Sequence, residues 1–168
     1  MRLVLLASIA LPLLIVAAAC VGGGSPPAPS VSNVPDFELK DVQGSPVAFS
    51  STSGSVRLVN FWATWCAPCR EEIPTFKELE ASYGPRGFKL VGIAMDDEGA
   101  GVVKPFVEEM GIGYLNLLGN DEVAEKFGGI VGYPTSFLVD RQGKVVKSWT
   151  GLVPKSILVK EIEALLAS

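Results

Sequence analysis

The sequence predicts an α/β domain built on a mixed central sheet with helices on both faces. Three observations carry that expectation. Apolar runs of strand length alternate with segments whose apolar residues recur at helical spacing, which implies parallel strand pairings joined by crossover helices. Two further strand pairs flank short Gly-containing turns and add antiparallel pairings. A chain of 168 residues, 48% of them hydrophobic, is long enough to bury one core without disulfide staples.

The first 34 residues stand apart from that domain. Arg2 precedes an uncharged apolar run, Leu3 to Ala19, which closes on Ala17-Ala18-Ala19-Cys20. Such a run with small residues at its end reads as an export signal over 1–19, the other reading being an uncleaved anchor. Val16-Ala17-Ala18-Ala19-Cys20 resembles a bacterial lipobox, with Ala17 where Leu is usual, and the resemblance implies a lipidated Cys20 that attaches the protein to a membrane. Ordinary signal peptidase cleavage after Ala19 is the alternative and would leave Cys20 as a free thiol. Residues 20–34, rich in Gly, Ser and Pro, read as a flexible tether. In every version the domain, 35–168, lies outside the cytoplasm, in a bacterial periplasm or at the cell surface, where disulfides persist.

Within 35–168, Phe37 to Lys40 and Pro46 to Phe49 flank a Gln43-Gly44-Ser45 turn and form an N-terminal hairpin. A Ser/Thr/Gly connection, Ser50 to Ser55, leads to the central strand, Arg57 to Ala63, apolar on both faces as a doubly covered strand is. From Cys69 to Tyr83, the residues Ile73, Phe76, Leu79 and Tyr83 recur at helical spacing. Phe88 to Met95 is the next strand. It ends in Asp96-Asp97-Glu98, read as a solvated turn and helix cap rather than a cation site. Val102, Val103, Phe106, Val107 and Met110 mark a helix stopped by Gly111. A short strand, Tyr114 to Leu118, and a short helix, Glu122 to Phe127, precede the strand Thr135 to Asp140. A turn at Arg141-Gln142-Gly143 joins that strand to Lys144–Thr150. The last helix, opened near Pro154, carries Leu158, Ile162, Leu165 and Leu166 on one face.

Charge and residue counts remove whole classes of function. The net charge of -4, without a Lys/Arg stripe, gives no support to nucleic-acid binding. Histidine is absent, which removes His general bases and Cys-His nucleophile pairs; the three cysteines cannot fill a four-thiolate zinc site. No metal or other cofactor is expected.

The chemistry concentrates in Phe61-Trp62-Ala63-Thr64-Trp65-Cys66-Ala67-Pro68-Cys69, a C-x-x-C at a strand-to-helix junction. The first N–H groups of a helix lack intrahelical partners and its dipole is positive there, so a thiolate at Cys66 is stabilised. Cys66 is therefore the expected reactive thiol, with its pKa below that of a free cysteine.

These residues, with Gly132-Tyr133-Pro134-Thr135-Ser136-Phe137-Leu138-Val139-Asp140 downstream, resemble the thioredoxin superfamily, and within it the TlpA/ResA/CcmG group of extracytoplasmic thiol-disulfide oxidoreductases. The resemblance spans Pro35 to about Leu166 and implies a thioredoxin-like fold. The longer stretch between Cys69 and Pro134 leaves room for a βα insertion before the cis-proline strand, as in this group. It further implies a redox-active Cys66–Cys69 disulfide with Cys69 as the resolving thiol. Pro134 matches the family's cis-proline, which leaves the Tyr133 backbone free to pair with an extended substrate. Trp65, Tyr133, Pro134 and Thr135 are then the substrate-binding residues, while Trp62 reads as a core aromatic. Asn60 takes the place of thioredoxin's buried aspartate. Glu72 matches an acidic residue used by the ResA group, and its i, i+3 spacing puts it on the face that carries Cys69. Partial burial would raise its pKa and make it a base for Cys69, against the reading of an exposed helix-surface Glu like Glu71.

The group implies a protein-disulfide reductase. Apocytochrome c is a possible substrate, and a membrane electron donor of DsbD or CcdA type would recharge the cysteines. Two alternatives stand beside it. A peroxiredoxin-like peroxidase shares the fold and the insertion, but its peroxidatic cysteine sits in a Pro-x-x-x-Thr-x-x-Cys context that Phe61–Cys66 lacks. A non-catalytic binding module on the same scaffold would have no need of both cysteines and Pro134.

Overall fold

A computed structural model of the chain describes residues 32–34 and 36–168. The export signal, Cys20 and all of the tether except 32–34 lie outside the described residues. Two short strands, β1 (Glu38–Lys40) and β2 (Pro46–Ala48), pair antiparallel around a turn whose Asp41 carboxylate accepts from the Gln43 and Ser45 N–H groups. The expected connection after β2 contains a 3-10 helix, Phe49–Thr52, closed by the Thr52 hydroxyl donating to the Phe49 carbonyl at 2.7 Å. It leads into β3 (Val56–Trp62), every residue of which is buried.

Helix α1 (Ala67–Tyr83) follows at once and begins two residues earlier than the apolar spacing indicates. The reason is local. Pro68 sits in the first turn, where its missing N–H costs nothing, and Cys66 serves as the N-cap. Two βα units come next: β4 (Phe88–Ala94) with α2 (Ala100–Glu109), then β5 (Leu115–Leu118) with α3 (Asp121–Lys126). Gly111, at φ 57°, takes the left-handed conformation just beyond α2, and Asn120 caps α3 through the Val123 N–H. Strands β6 (Thr135–Val139) and β7 (Val145–Thr150) and helix α4 (Lys155–Leu166) complete the chain.

The main sheet has the order β5-β4-β3-β6-β7, with β3, β4 and β5 parallel and β6 and β7 antiparallel to their neighbours. Residues alternate between its faces. Leu58, Trp62, Leu90 and Leu138 join α1, α2 and α4 in one core; Val59, Phe61, Ile93 and Phe137 face the other, with α3 and the N-terminal hairpin. The hairpin forms a sheet of its own and is hydrogen-bonded to β5 by an isolated bridge, Asp41 to Leu117. Phe37 and Leu39 turn into the α3-side core, so the hairpin covers a face of the main sheet.

On that side Phe127 is fully buried, with ring centroids 5.0 Å from Phe61, 4.9 Å from Phe137 and 6.1 Å from Phe37. Phe127→Ala should therefore lower stability by about 3–5 kcal/mol, read as a lower urea midpoint at unchanged slope. A loss under ~1 kcal/mol would mean that this aromatic cluster lies outside the cooperative core.

Candidate active site

Cys66 ends the loop after β3 and Cys69 lies in the first turn of α1. The two form a disulfide with Cα atoms 5.3 Å apart. Both are buried, and the Cys66 Sγ accepts the Cys69 backbone N–H at 3.3 Å. That N–H is one of the helix donors without an intrahelical partner, so the sulfur occupies the position in which a thiolate gains most from the helix terminus.

One turn along α1, Glu72 points into the protein and is only 4% exposed, unlike the exposed Glu71. Its two oxygens are held separately. Oε1 accepts from the Val153 backbone N–H at 3.3 Å, and Oε2 accepts from Asn60 Nδ2 at 3.5 Å. Burial pushes the Glu72 pKa up to about 7, with the bonds from Val153 and Asn60 working in the opposite direction. Asn60 also donates from Nδ2 to the Ser136 hydroxyl at 3.0 Å. Tyr114, just before β5, is buried near Glu72, and its hydroxyl pKa is raised first by burial and then by the neighbouring carboxylate.

The Tyr133–Pro134 peptide is cis, and Pro134 is buried at the start of β6. Because β6 runs antiparallel to β3, with Thr135 opposite Phe61, this peptide lies beside the end of β3 and the loop that carries Cys66. The Thr135 hydroxyl donates to the Gly132 carbonyl at 2.7 Å and is buried, so its side chain holds the loop rather than facing solvent. Trp65 is 67% exposed and stands edge-on to the Tyr133 ring at 5.8 Å. Val131 and Leu152 are also exposed, the latter between Gly151, whose N–H donates to the Pro134 carbonyl, and Val153, which holds Glu72. Trp62 is buried in the core and tilted against Phe106, while the guanidinium of exposed Arg70 lies over the same Phe106 ring.

Asp96 departs from the expected solvated turn. It is 7% exposed and accepts from both the backbone N–H and the hydroxyl of Thr64, clamping the loop before Cys66 to the end of β4. Nothing in the run of three acids distinguishes Asp96 from Asp97. The parallel pairing of Trp62 with Ala94 does, by bringing the two strand ends together.

The AhpC/TSA family model matches residues 32–148, which is most of the chain. The chain belongs to the AhpC/TSA family. It is 31% identical over 134 residues to the thiol-disulfide oxidoreductase ResA of Geobacillus thermodenitrificans, covering 80% of this chain and 76% of that protein. Among solved structures, a thiol:disulfide interchange protein of the thioredoxin family from Chlorobium tepidum superposes with a TM-score of 0.73 at 33% identity, covering 85% of this chain and 99% of that one. The thioredoxin domain of a thiol-disulfide oxidoreductase from Bacteroides vulgatus gives 0.72 at 26% identity, covering 84% and 99%. With the Cys66–Cys69 disulfide in place, this AhpC/TSA member is a thiol-disulfide oxidoreductase of thioredoxin-like fold.

The sequence assigns no role to Ser136, although it lies within the Gly132–Asp140 stretch, or to the Val153 amide, a backbone group. Their place beside Asn60 and Glu72 comes from strand register and from the loop after β7. The raised Glu72 pKa has a thermodynamic consequence. The folded state binds a proton more tightly than the unfolded chain, so the contribution of Glu72 is most favourable below about pH 4.5 and declines as pH rises toward 7. The oxidised wild type should lose about 3 kcal/mol across that window relative to Glu72→Gln, measured by urea unfolding at several pH values. Parallel pH profiles for the two proteins would place Glu72 in solvent.

Proposed function

We propose that the protein is an extracytoplasmic reductase of protein disulfides, held to a membrane by a lipidated Cys20 and working through the Cys66–Cys69 couple. The observation that carries this reading is the cysteine pair at the N-terminus of α1, with the Cys69 N–H on the Cys66 sulfur. The Cys66 thiolate attacks a substrate disulfide, forming a mixed disulfide and expelling one substrate thiolate. Glu72 takes the proton from the Cys69 thiol. The Cys69 thiolate then attacks the Cys66 sulfur and expels the second substrate thiolate, which leaves a reduced substrate and an oxidised pair. Glu72 gives its proton to a departing substrate thiolate, and two electrons have passed to the substrate. A membrane donor of DsbD or CcdA type returns two electrons while one proton from solvent restores the Cys66 thiolate and Cys69 thiol.

Backbone groups at Tyr133, beside the cis Pro134, support docking of an extended chain by strand addition, and exposed Trp65 offers apolar cover next to it. Thr135 contributes by fixing the shape of that loop. The relative named thiol-disulfide oxidoreductase supports the chemistry, and the resemblance to the TlpA/ResA/CcmG group supports the reducing direction and an apocytochrome c substrate.

Reduction of insulin or apocytochrome c disulfides, with hydrogen peroxide as a parallel substrate, tests the reading. Wild type should reduce the protein disulfides, Cys66→Ser should abolish turnover, and Cys69→Ser should accumulate a mixed disulfide visible on a non-reducing gel. Turnover of peroxide alone would make the protein a peroxidase. No turnover of either, with Cys66→Ser indistinguishable from wild type, would leave a binding module.

A further inference from the structure

Glu72 is the acid of the site, yet the side chains that hold it lie on other elements and outside any cysteine motif. Asn60, in the middle of β3, and Ser136, directly opposite it on β6, are 3% and 1% exposed. A carboxamide has two N–H donors, and here one reaches the Ser136 hydroxyl and the other the Glu72 carboxylate. Rotating that amide would turn its oxygen toward Glu72 and exchange an attraction for a repulsion. The acceptor-only carboxylate selects the orientation with nitrogen toward Glu72, and the Ser136 hydroxyl, 3.0 Å from that nitrogen, holds the amide in place by accepting from it. On the other side the segment 151–153 is a strap only three residues long. The Gly151 N–H bonds the Pro134 carbonyl at 2.7 Å, and the Val153 N–H bonds Glu72. Gly151 has φ 88°, which lets the strap turn sharply between those two anchors.

We propose that Asn60 and Ser136 are positioning residues of the redox site: Ser136 anchors the Asn60 carboxamide, and Asn60 and the Val153 amide each hold one oxygen of the Glu72 carboxylate on the face of α1 that carries Cys69. The proposal rests on the reading of Glu72 as the proton acceptor for Cys69. Tyr114 faces Glu72 from the start of β5, and Cys69 lies one turn before it on α1; no charged side chain acts on the carboxylate from β3, β6 or the strap. Hydrogen bonds to the charged form are thus what opposes burial, and removing one raises the proton affinity of Glu72.

The test is a 13C NMR titration of the Glu72 carboxyl in the oxidised protein, paired with the pH profile of kcat/KM for insulin reduction. Asn60→Ala should move the Glu72 midpoint upward by roughly half to one pH unit, with the activity profile following it. Ser136→Ala, which trims one hydroxyl and keeps the measurement open if Asn60→Ala does not fold, should move both in the same direction by less. Suppose that Glu72→Gln alters the activity profile while both alanine variants leave the Glu72 midpoint unmoved, whatever their melting temperatures. The positioning set is then overturned and the proton-acceptor reading survives. An activity profile unaltered by Glu72→Gln overturns that reading and this proposal with it.

Discussion

The antiparallel pairing of β3 with β6 is the constraint on which the site depends. Strand β3 delivers the cysteines at its C-terminal end, and an antiparallel partner that starts where β3 stops brings the Tyr133–Pro134 loop to the same place. With Phe61 opposite Thr135, the peptide between Tyr133 and Pro134 falls beside the residues that follow β3. The same register sets Asn60 against Ser136. One pairing therefore aligns both the backbone edge next to the disulfide and the polar pair beneath α1. A slip of one residue would turn Asn60 into the α3-side core and break both relations.

Burying polar groups between α1 and the sheet is costly unless each finds a partner, and this restricts what the site can contain. By its resemblance to thioredoxin, Asn60 takes the place of a buried acid, while the buried carboxyl here is Glu72 on α1. A second acid at position 60 would compete with Glu72 for ionisation. A carboxylate at position 60 would lie about as close to Glu72 as the amide does now, at 3.5 Å, and two like charges at that distance in a buried setting cannot both ionise. The amide keeps the geometry, donates where a second acid would compete, and leaves Glu72 as the one carboxyl in this pocket whose proton affinity is tuned by burial. The folded protein bears a stability cost for holding that group ionised near neutral pH, consistent with a buried acid kept for chemistry.

Most of the fold was legible because its signals are local. The strand runs, the helical spacing from Ile73 to Tyr83, Gly111 beyond α2 and the turns of the two hairpins each act over a few residues, and the elements formed close to where those signals lie. Apolar periodicity puts the start of α1 too late because it reports only apolar positions, whereas the helix begins at a cap and a proline. The hairpin's separate sheet, the 3-10 helix after it and the division of three helices to one face and one to the other depend on how faces pack, which pattern alone leaves open.

For the site, the sequence by itself determined a C-x-x-C at a helix terminus with Cys66 as the reactive thiol, and its resemblance to the thioredoxin superfamily supplied the redox disulfide and the candidates Glu72 and Pro134. Only the tertiary structure decided that Glu72 is buried where Glu71 is exposed, that Asp96 clamps Thr64 where Asp97 faces solvent, and that Ser136 and the Val153 amide belong to the site at all. The physical reason is common to all three. Burial and hydrogen bonding depend on which strands lie side by side and in what register, and those neighbours come from segments up to 81 residues apart in the chain.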